Sequence, residues 1–236
     1  MKRHLLSFLL LLLTITIKAQ YGGYESAGHL GINMCYIEPG NDFEQQAFYK
    51  PNSGYALTGY GLSVTYSKKM MHSRFGISGL ANFSMGQTDV NGFRNSLPHS
   101  LNVSQVNSSA LWLNANIIAG PMIHVNLFRR LSVNFQLMGG LNYISLPEYT
   151  SHDANNSMPI LKEDIHSFGY SYDFGIGVRY SLTPSTFLLF NADFMSSHNT
   201  KEALNTIDPS GKPTTVDYSA SIGINMLSLG YAIALD

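Results

Sequence analysis

Few residues of this chain have the type and spacing to do chemistry, and four charged side chains form the best candidate set. They are Asp173, Arg179, Asp193 and Asp217. Each lies on the polar side of a segment in which apolar and polar residues alternate, and successive residues of an extended strand point to opposite faces. We therefore predict an interior network in which Arg179 meets at least one of the carboxylates. The alternative is that these charges are solvated at the edge of the protein interior rather than paired within it.

Metal and cofactor chemistry is not indicated by the sequence. The histidines are scattered without the short paired spacing of zinc ligands; those considered are His29, His72, His99, His124, His152, His166 and His198. Cys35 is the only cysteine, which rules out an intrachain disulfide and a cysteine-based metal cluster. The sequence predicts no bound metal and no cofactor.

One short segment resembles part of a hydrolytic triad. Ser196, Ser197 and His198 follow Asp193 closely, and a serine, a histidine and an acid together make an acyl-transfer site. Adjacent Ser and His residues arise easily by chance, and no His-x-Ser-Asn arrangement accompanies them. We therefore expect a non-enzymatic protein.

A period of two governs the elements that would position these residues. From Leu131 to Tyr143 one side carries Leu, Val, Phe and Tyr, while the other carries mainly Ser, Asn and Gln. This alternation recurs in eight segments: Leu30–Tyr36, Tyr60–Tyr66, Phe75–Phe83, Leu111–Leu127, Leu131–Tyr143, Phe168–Tyr180, Leu188–Phe194 and Val216–Met226. After Met226 the apolar residues change parity, so either a bulge resets the register or the strand ends there.

The connections between these strands differ in length in a regular way. Three are short, at Ser67–Ser73, Phe128–Arg130 and Ser181–Ser185. Four are long, at Pro39–Gly54, Gly86–Ser108, Pro147–Ser167 and His198–Thr214. Short and long connections alternate, as periplasmic turns and extracellular loops do in outer-membrane barrels. The sequence therefore predicts an all-β fold, an eight-stranded antiparallel up-and-down transmembrane β-barrel.

Composition favours a membrane barrel over a soluble one. Only 12% of the residues are charged, and the polar side of the strands is rich in small Gly, Ser and Asn residues that fit a narrow lumen. The bulky apolar side would face lipid, where every backbone group must be paired within a closed sheet. Aromatic residues near strand ends are predicted to form interfacial belts: Tyr36, Tyr60, Tyr66, Tyr143, Tyr170, Tyr180 and Phe187. A soluble carrier of the lipocalin type is the alternative.

The first residues have the features of an export signal. Lys2 and Arg3 precede an apolar stretch too short to span a bilayer, and Ala19 supplies a cleavage site, so residues 1–19 are predicted to be a signal peptide and 20–236 the barrel. Cleavage would remove three basic residues, Lys18 included, and leave 14 − 3 = 11 against 15 acidic ones. This negative balance argues against a nucleic-acid partner.

One hairpin resembles a known family. The stretch from Phe174 to Tyr180 reads Phe-Gly-Ile-Gly-Val-Arg-Tyr, and a Thr-Pro turn then leads into the strand from Phe187 to Phe194. This is similar to the outer-membrane β-barrel domain family of the OmpA and OmpX type. The resemblance implies an outer-membrane location, contact with membrane lipids and lipopolysaccharide, and insertion by the barrel-assembly machinery. That machinery commonly reads a terminal aromatic residue, which this chain lacks, so Tyr231 or Leu235 is expected to replace it.

The loops are the remaining candidate surface. Glu148, Asp153, Glu163 and Asp164 make the third long connection acidic, and Asp42 and Glu44 do the same for the first. Basic residues lie at the opposite rim: Lys68, Lys69, Arg74, Arg129 and Arg130. Solvation explains these charges, or they bridge to lipopolysaccharide through divalent cations or contact another cell. The leading interpretation is a structural or surface-interaction barrel; a small conduit or binder for hydrophobic or small solutes is the alternative, and a lipid A-modifying enzyme ranks below both.

Overall fold

The computed structural model describes residues 28–47, 50, 52–70, 73–97, 105–108, 111–152, 160–208 and 212–235. The predicted signal peptide, His72, His99 and Asp153 lie outside these residues. Eleven strands and one short helix are present in the described part of the chain: β1 Gly28–Asn41, β2 Ala56–Lys69, β3 Phe75–Thr88, α1 Val90–Ser96, β4 Gln105–Ser108, β5 Leu111–Asn126, β6 Leu131–Leu146, β7 Tyr149–His152, β8 Ile160–Lys162, β9 Ile165–Ser181, β10 Thr186–Ile207 and β11 Pro213–Leu235.

Eight of the strands close into a ring, which confirms the predicted barrel. The order is β1-β2-β3-β5-β6-β9-β10-β11, and β11 pairs with both β10 and β1. All these pairings are antiparallel, and each joins successive barrel strands along the chain except the closing pair, which runs from Gly28 opposite Leu235 to Asn41 opposite Ile222. The three predicted short turns join strands at one end, and the four long connections lie at the other. By the usual arrangement of such barrels we call these the periplasmic and outer ends.

The strands place their apolar residues outside the barrel. Phe135 and Phe174 are about two-fifths exposed, whereas Asn134, Gln136 and Asp173 on the same strands are buried inside. An exposed band this large has no place in water, because contiguous apolar patches on soluble monomers are far smaller. Backbone pairing around the whole ring leaves no open edge inside the band, as lipid requires. The prediction that the apolar faces meet lipid is confirmed.

Strand β11 corrects one part of the sequence prediction. Tyr218, Ile222, Ile224 and Met226 point into the barrel, and Asn225 points outward. No register shift occurs between β11 and either neighbour from residue 218 to residue 233. The change of parity after Met226 is therefore neither a bulge nor a strand end. It marks the level at which the outward face passes from water into lipid.

The aromatic belts follow the prediction with one exception. Tyr36 and Tyr60 lie outward near the outer end, packed edge to face with their rings 5.9 Å apart, and Tyr66 and Tyr180 lie outward near the periplasmic end. Phe187 is wrong as a belt residue, because its ring is fully buried inside the barrel. It packs beneath Arg179, with the guanidinium carbon 4.9 Å from the ring centre.

The long connections contain structure of their own. Helix α1 and strands β4, β7 and β8 form a cap over the outer end, and its small apolar core consists of Tyr55, Phe93, Leu97, Val106, Tyr149 and Leu161. The Phe93 and Tyr149 rings stack with centres 4.1 Å apart. Asp89 caps the helix, since its carboxylate accepts a hydrogen bond from the Gly92 amide at 2.7 Å.

The fourth long connection, which the sequence predicts as a loop, is mostly a paired hairpin. Strands β10 and β11 stay paired beyond the barrel as far as Ile207 and Pro213, with a bulge between Lys201 and Leu204. On one edge this hairpin meets β8, through Thr206 opposite Lys162. On the other edge, β11 has no ladder partner among the described residues above Ile222.

Candidate functional site

Arg179 is the centre of a polar cluster in the periplasmic half of the lumen. Its three nitrogens donate to Nδ1 of His29 at 2.9 Å, to Nε2 of His124 at 3.3 Å and to Oγ of Ser132 at 3.2 Å. Arginine nitrogens only donate, and Nε2 of His124 also lies 2.7 Å from Oδ1 of Asn126. The Phe187 ring adds a cation–π contact. The structure thus surrounds the buried Arg179 with two imidazole rings, a hydroxyl group and an aromatic ring rather than with carboxylates.

Side chains on neighbouring strands form hydrogen bonds to the two histidines. His29 Nε2 lies 2.8 Å from Oγ of Ser67, and His124 Nδ1 lies 2.5 Å from Oδ1 of Asn134. The cluster therefore links β1, β2, β5, β6 and β9 across the barrel.

Asp193 and Asp173 lie further toward the middle of the barrel. Oδ1 of Asp193 accepts from Nε2 of Gln136 at 2.9 Å, and Oε1 of Gln136 accepts from Oγ of Ser78 at 2.8 Å. Asp173 is also buried, and neither of its carboxylate oxygens has a hydrogen-bond partner among the described residues. Met138 and Met195 stand opposite it on the two neighbouring strands.

Of the four predicted network residues, three lie inside the barrel and one does not. Asp217 is exposed on the outward face of β11, where its carboxylate accepts a 3.4 Å hydrogen bond from the Ala203 amide. Its assignment to the lumen is wrong, because that assignment takes the apolar side of β11 to face outward. Arg179 is six residues from Asp173 on one strand, about 20 Å along it. The contacts found for its guanidinium are the histidines, Ser132 and Phe187.

The outer half of the lumen is filled by an apolar plug. Trp112 is its largest member: the indole is fully buried, packs edge to face on Phe43 with ring centres 5.0 Å apart, and donates to the Leu57 carbonyl at 3.0 Å. Around it lie buried side chains from the barrel wall: Ile37, Ile118, Met138, Ile144, Met195, Ile222, Ile224 and Met226. These buried side chains form one apolar cluster inside the outer half of the barrel.

Two glycines make room for this indole. A Cβ on Gly59 would come within 2.5 Å of the Trp112 ring, and a Cβ on Gly86 would do the same. Both residues lie on strands beside the tryptophan, and any side chain there would displace it. The plug is therefore formed by a large residue seated over small ones.

The cap holds a buried lysine. Lys162 Nζ donates to the Ser53 carbonyl at 2.5 Å, and burial lowers the pKa of this ammonium to about 7. Burial also raises the pKa of Tyr55 and of Tyr149, each to about 12. The Tyr55 hydroxyl lies 2.8 Å from Oγ of Ser96, which ties the cap helix to the rim of the barrel.

The candidate hydrolytic residues do not form a triad. Asp193 and Ser197 point into the barrel, and Ser197 donates to Oδ1 of Asn199 at 2.9 Å. His198 points to the opposite face, where Nε2 lies 3.4 Å from Oγ of Ser219. Neighbouring residues of one strand face opposite ways, so Ser197 and His198 cannot act on one substrate.

Among the described residues, no group of three or more His, Cys, Asp and Glu side chains is placed to hold a metal ion. In the same part of the chain, no helix is both long enough and apolar enough to cross a membrane.

The sequence interpretation missed the histidines of the lumen. His124 lies on the polar side of its strand in that interpretation, but the histidines were compared only for metal spacing along the chain. The partners come together across strands, through residues 55 to 150 positions apart, and such pairs leave no local spacing. The available signal was inward parity: His29, His124 and Arg179 all lie on the inward side near the periplasmic end.

Comparison with known proteins bears on the fold. No protein-family model matches the sequence, and no functionally curated protein matches it. Among solved structures, a major outer membrane protein from Thermus thermophilus is similar, with TM-score 0.52 and 13% identity over 88% of this chain and 99% of that one. Ail, the attachment invasion locus protein of Yersinia pestis, has TM-score 0.46 and 13% identity over 88% and 99%. Neisserial surface protein A has TM-score 0.41 and 12% identity over 89% and 98%.

At such identities the likeness shows the fold alone. Together with the closed ring and the outward apolar band, it defines the class: this chain is an integral outer-membrane β-barrel protein of the small, eight-stranded type.

Proposed function

We propose that this protein is a closed surface-interaction barrel, which uses the exposed edge of its β10–β11 hairpin to bind an extended segment of another protein. The observation that carries this proposal is the unpaired edge of β11 above Ile222. Below that level β1 covers the edge, and above it no described strand does.

The register shows which backbone groups the edge offers. The Ser221 amide and carbonyl point toward the β1 side, since they bond to the Asp42 carboxylate at 2.9 Å and to the Asp42 amide at 3.1 Å. Backbone direction alternates along a strand, so the amides and carbonyls of Thr215, Asp217 and Ser219 also face this edge. All three residues are exposed. No strand among the described residues pairs with these donors and acceptors, and an edge of this kind is a template for strand addition.

The packed lumen supports a binding role rather than a conduit. Trp112, Ile37 and Ile222 are fully buried in the plug, and the cap lies over them. A solute would have to displace both layers. In planar bilayers we expect the full chain to show no steady conductance, and a stable open channel would favour the conduit instead.

Proline substitutions test the edge. In Asp217→Pro/Ser219→Pro the two amides that face the exposed edge are lost while the ladder to β10 is kept, because proline is tolerated on an edge strand. Peptides selected from a random displayed library on the full chain in nanodiscs should lose binding to this variant at least tenfold. The matched Asp217→Thr/Ser219→Thr variant keeps the amides and should bind normally. Equal binding to all three proteins would refute the edge as the binding site.

A further inference from the structure

A one-sided distribution of charge surrounds the periplasmic end of the barrel. Five basic residues lie here, and we call them the basic rim: Lys68 and Lys69 at the end of β2, Arg74 in the β2–β3 turn, and Arg129 and Arg130 in the β5–β6 turn. Among the described residues at this end, from 66 to 76, 120 to 135, 177 to 190 and 228 to 235, there is no Asp or Glu. The described loop carboxylates all lie at the outer end.

The basic rim is continuous in space. The Arg74 carbonyl accepts a hydrogen bond from the His124 amide at 2.7 Å, which joins the β2–β3 turn to β5. The Arg130 carbonyl accepts from the Ser181 amide, also at 2.7 Å, which joins the β5–β6 turn to β9. The basic rim therefore follows the periplasmic ends of four neighbouring barrel strands, β2, β3, β5 and β6. The side chains of Lys68, Arg74, Arg129 and Arg130 are exposed.

The rim adjoins the lipid-facing band directly. Phe75 follows Arg74 and is 60% exposed, Phe128 precedes Arg129 and is 67% exposed, and Met70 follows Lys69 and is 54% exposed. These side chains mark the edge of the hydrocarbon, so the cations next to them stand at the depth of the lipid headgroups. Long basic side chains keep their apolar stems against the hydrocarbon while the charge reaches the interface.

We propose that the basic rim is a binding site for the phosphate headgroups of anionic phospholipids in the periplasmic leaflet. Lipids of that leaflet already surround this end of the barrel, and the rim offers them several cations with no competing carboxylate among the described residues there. Arginine forks suit phosphate geometry. Each cation near an anionic surface adds to the attraction, which salt screens.

Spin-labelled lipids measure this preference on the full chain. The protein is folded into phosphatidylcholine vesicles, and the bound fractions of spin-labelled phosphatidylglycerol and phosphatidylcholine are compared at low and high salt. We expect the wild type to prefer phosphatidylglycerol and to lose much of this preference in high salt. In Arg74→Gln/Arg129→Gln/Arg130→Gln the preference should fall by about fivefold or more.

A second triple variant controls for net charge. Lys50→Gln/Arg94→Gln/Lys212→Gln removes the same charge from the outer end and should leave the lipid preference unchanged. An equal loss in both triples would overturn the proposal, because general electrostatics would then explain it. A rim triple that keeps its preference for phosphatidylglycerol but loses lipopolysaccharide binding would also overturn it. The heat-modified gel band confirms that each variant is folded.

Discussion

Asp173 and Asp193 lie diagonally opposite each other on β9 and β10, with both carboxylates inside the barrel and neither in contact with Arg179. The register places Asp173 opposite Met195 and Asp193 opposite Gly175. Gln136 donates to Asp193, whereas Asp173 has no hydrogen-bond partner among the described residues. Two buried carboxylates this close, with a single donor between them, are a source of instability rather than of cohesion.

Removal of one of these carboxyl groups should therefore stabilise the barrel. We expect Asp173→Asn to raise the free energy of unfolding by about 1–3 kcal/mol, since the amide keeps the shape and removes the repulsion between two buried carboxyl groups. Urea unfolding of the full chain in lipid vesicles measures this. The exposed Asp217→Asn is the control and should change stability by less than about 0.5 kcal/mol. Destabilisation by Asp173→Asn would mean that the carboxylate holds a partner such as a bound cation.

Arg179 should be the residue on which the periplasmic half of the lumen depends most. In Arg179→Ala, His29, His124 and Ser132 lose a shared donor, and we expect a loss of about 2–4 kcal/mol. The folded gel band should then resist heat less than that of the wild type. Arg130→Ala removes an exposed arginine from the adjacent turn and should leave the band unchanged. Unaltered heat resistance in Arg179→Ala would contradict a cohesive role for the cluster.

The buried lysine of the cap predicts a pH dependence with a definite sign. Burial lowers the pKa of Lys162 from 10.5 to about 7 in the folded protein, so between these values the unfolded chain binds one proton more. Stability must then rise with pH across this window, and the burial penalty is present in full below about pH 7. The urea midpoint, followed by the fluorescence of Trp112, should increase from about pH 7 to about pH 10. In Lys162→Met this increase should be absent or much reduced, and an unchanged slope would exclude Lys162 as its source.

Trp112 should determine both the stability and the closure of the outer half. We expect Trp112→Ala to cost about 3–5 kcal/mol, as loss of a large buried aromatic does. The cavity should also raise the leak of small ions through the barrel in planar bilayers. Gly86→Ala keeps the indole but crowds it, so it should destabilise the protein without opening a leak. Intact ion exclusion in Trp112→Ala would place the seal in the cap instead.

The strand pattern and the membrane assignment were predictable because alternation is a local property. The alternation within one strand indicates which face each of its residues occupies. Eight such strands, joined by alternating short and long connections, predict a closed sheet. The orientation of β11 was not predictable on the same rule. The rule assumes lipid on the outer face at every level, whereas Asp217, Ser219 and Asn225 stand above the lipid and Ile222 and Ile224 meet a plug that is itself apolar. Both faces change character at that height.

The lumen could be predicted only in part. Parity places Asp173, Arg179 and Asp193 inside correctly. Their partners were not predictable, since the stagger between strands decides which levels meet across the barrel. Nothing in the residue pattern indicated that the fourth long connection continues as a paired hairpin. Its outward face is polar because it contacts water, and an exposed loop would be polar for the same reason.

The closing pair of the barrel has a consequence for assembly. Seven of the eight barrel pairings join barrel strands that follow one another along the chain, but β1 must pair with β11, as Gly28 does with Leu235. Chain closure over such a distance is slow compared with hairpin formation. Until β11 pairs with it, β1 has unpaired backbone donors and acceptors next to apolar side chains, and such an edge promotes aggregation. We therefore expect assembly of the barrel to require that the unpaired edge of β1 stays shielded until β11 pairs with it.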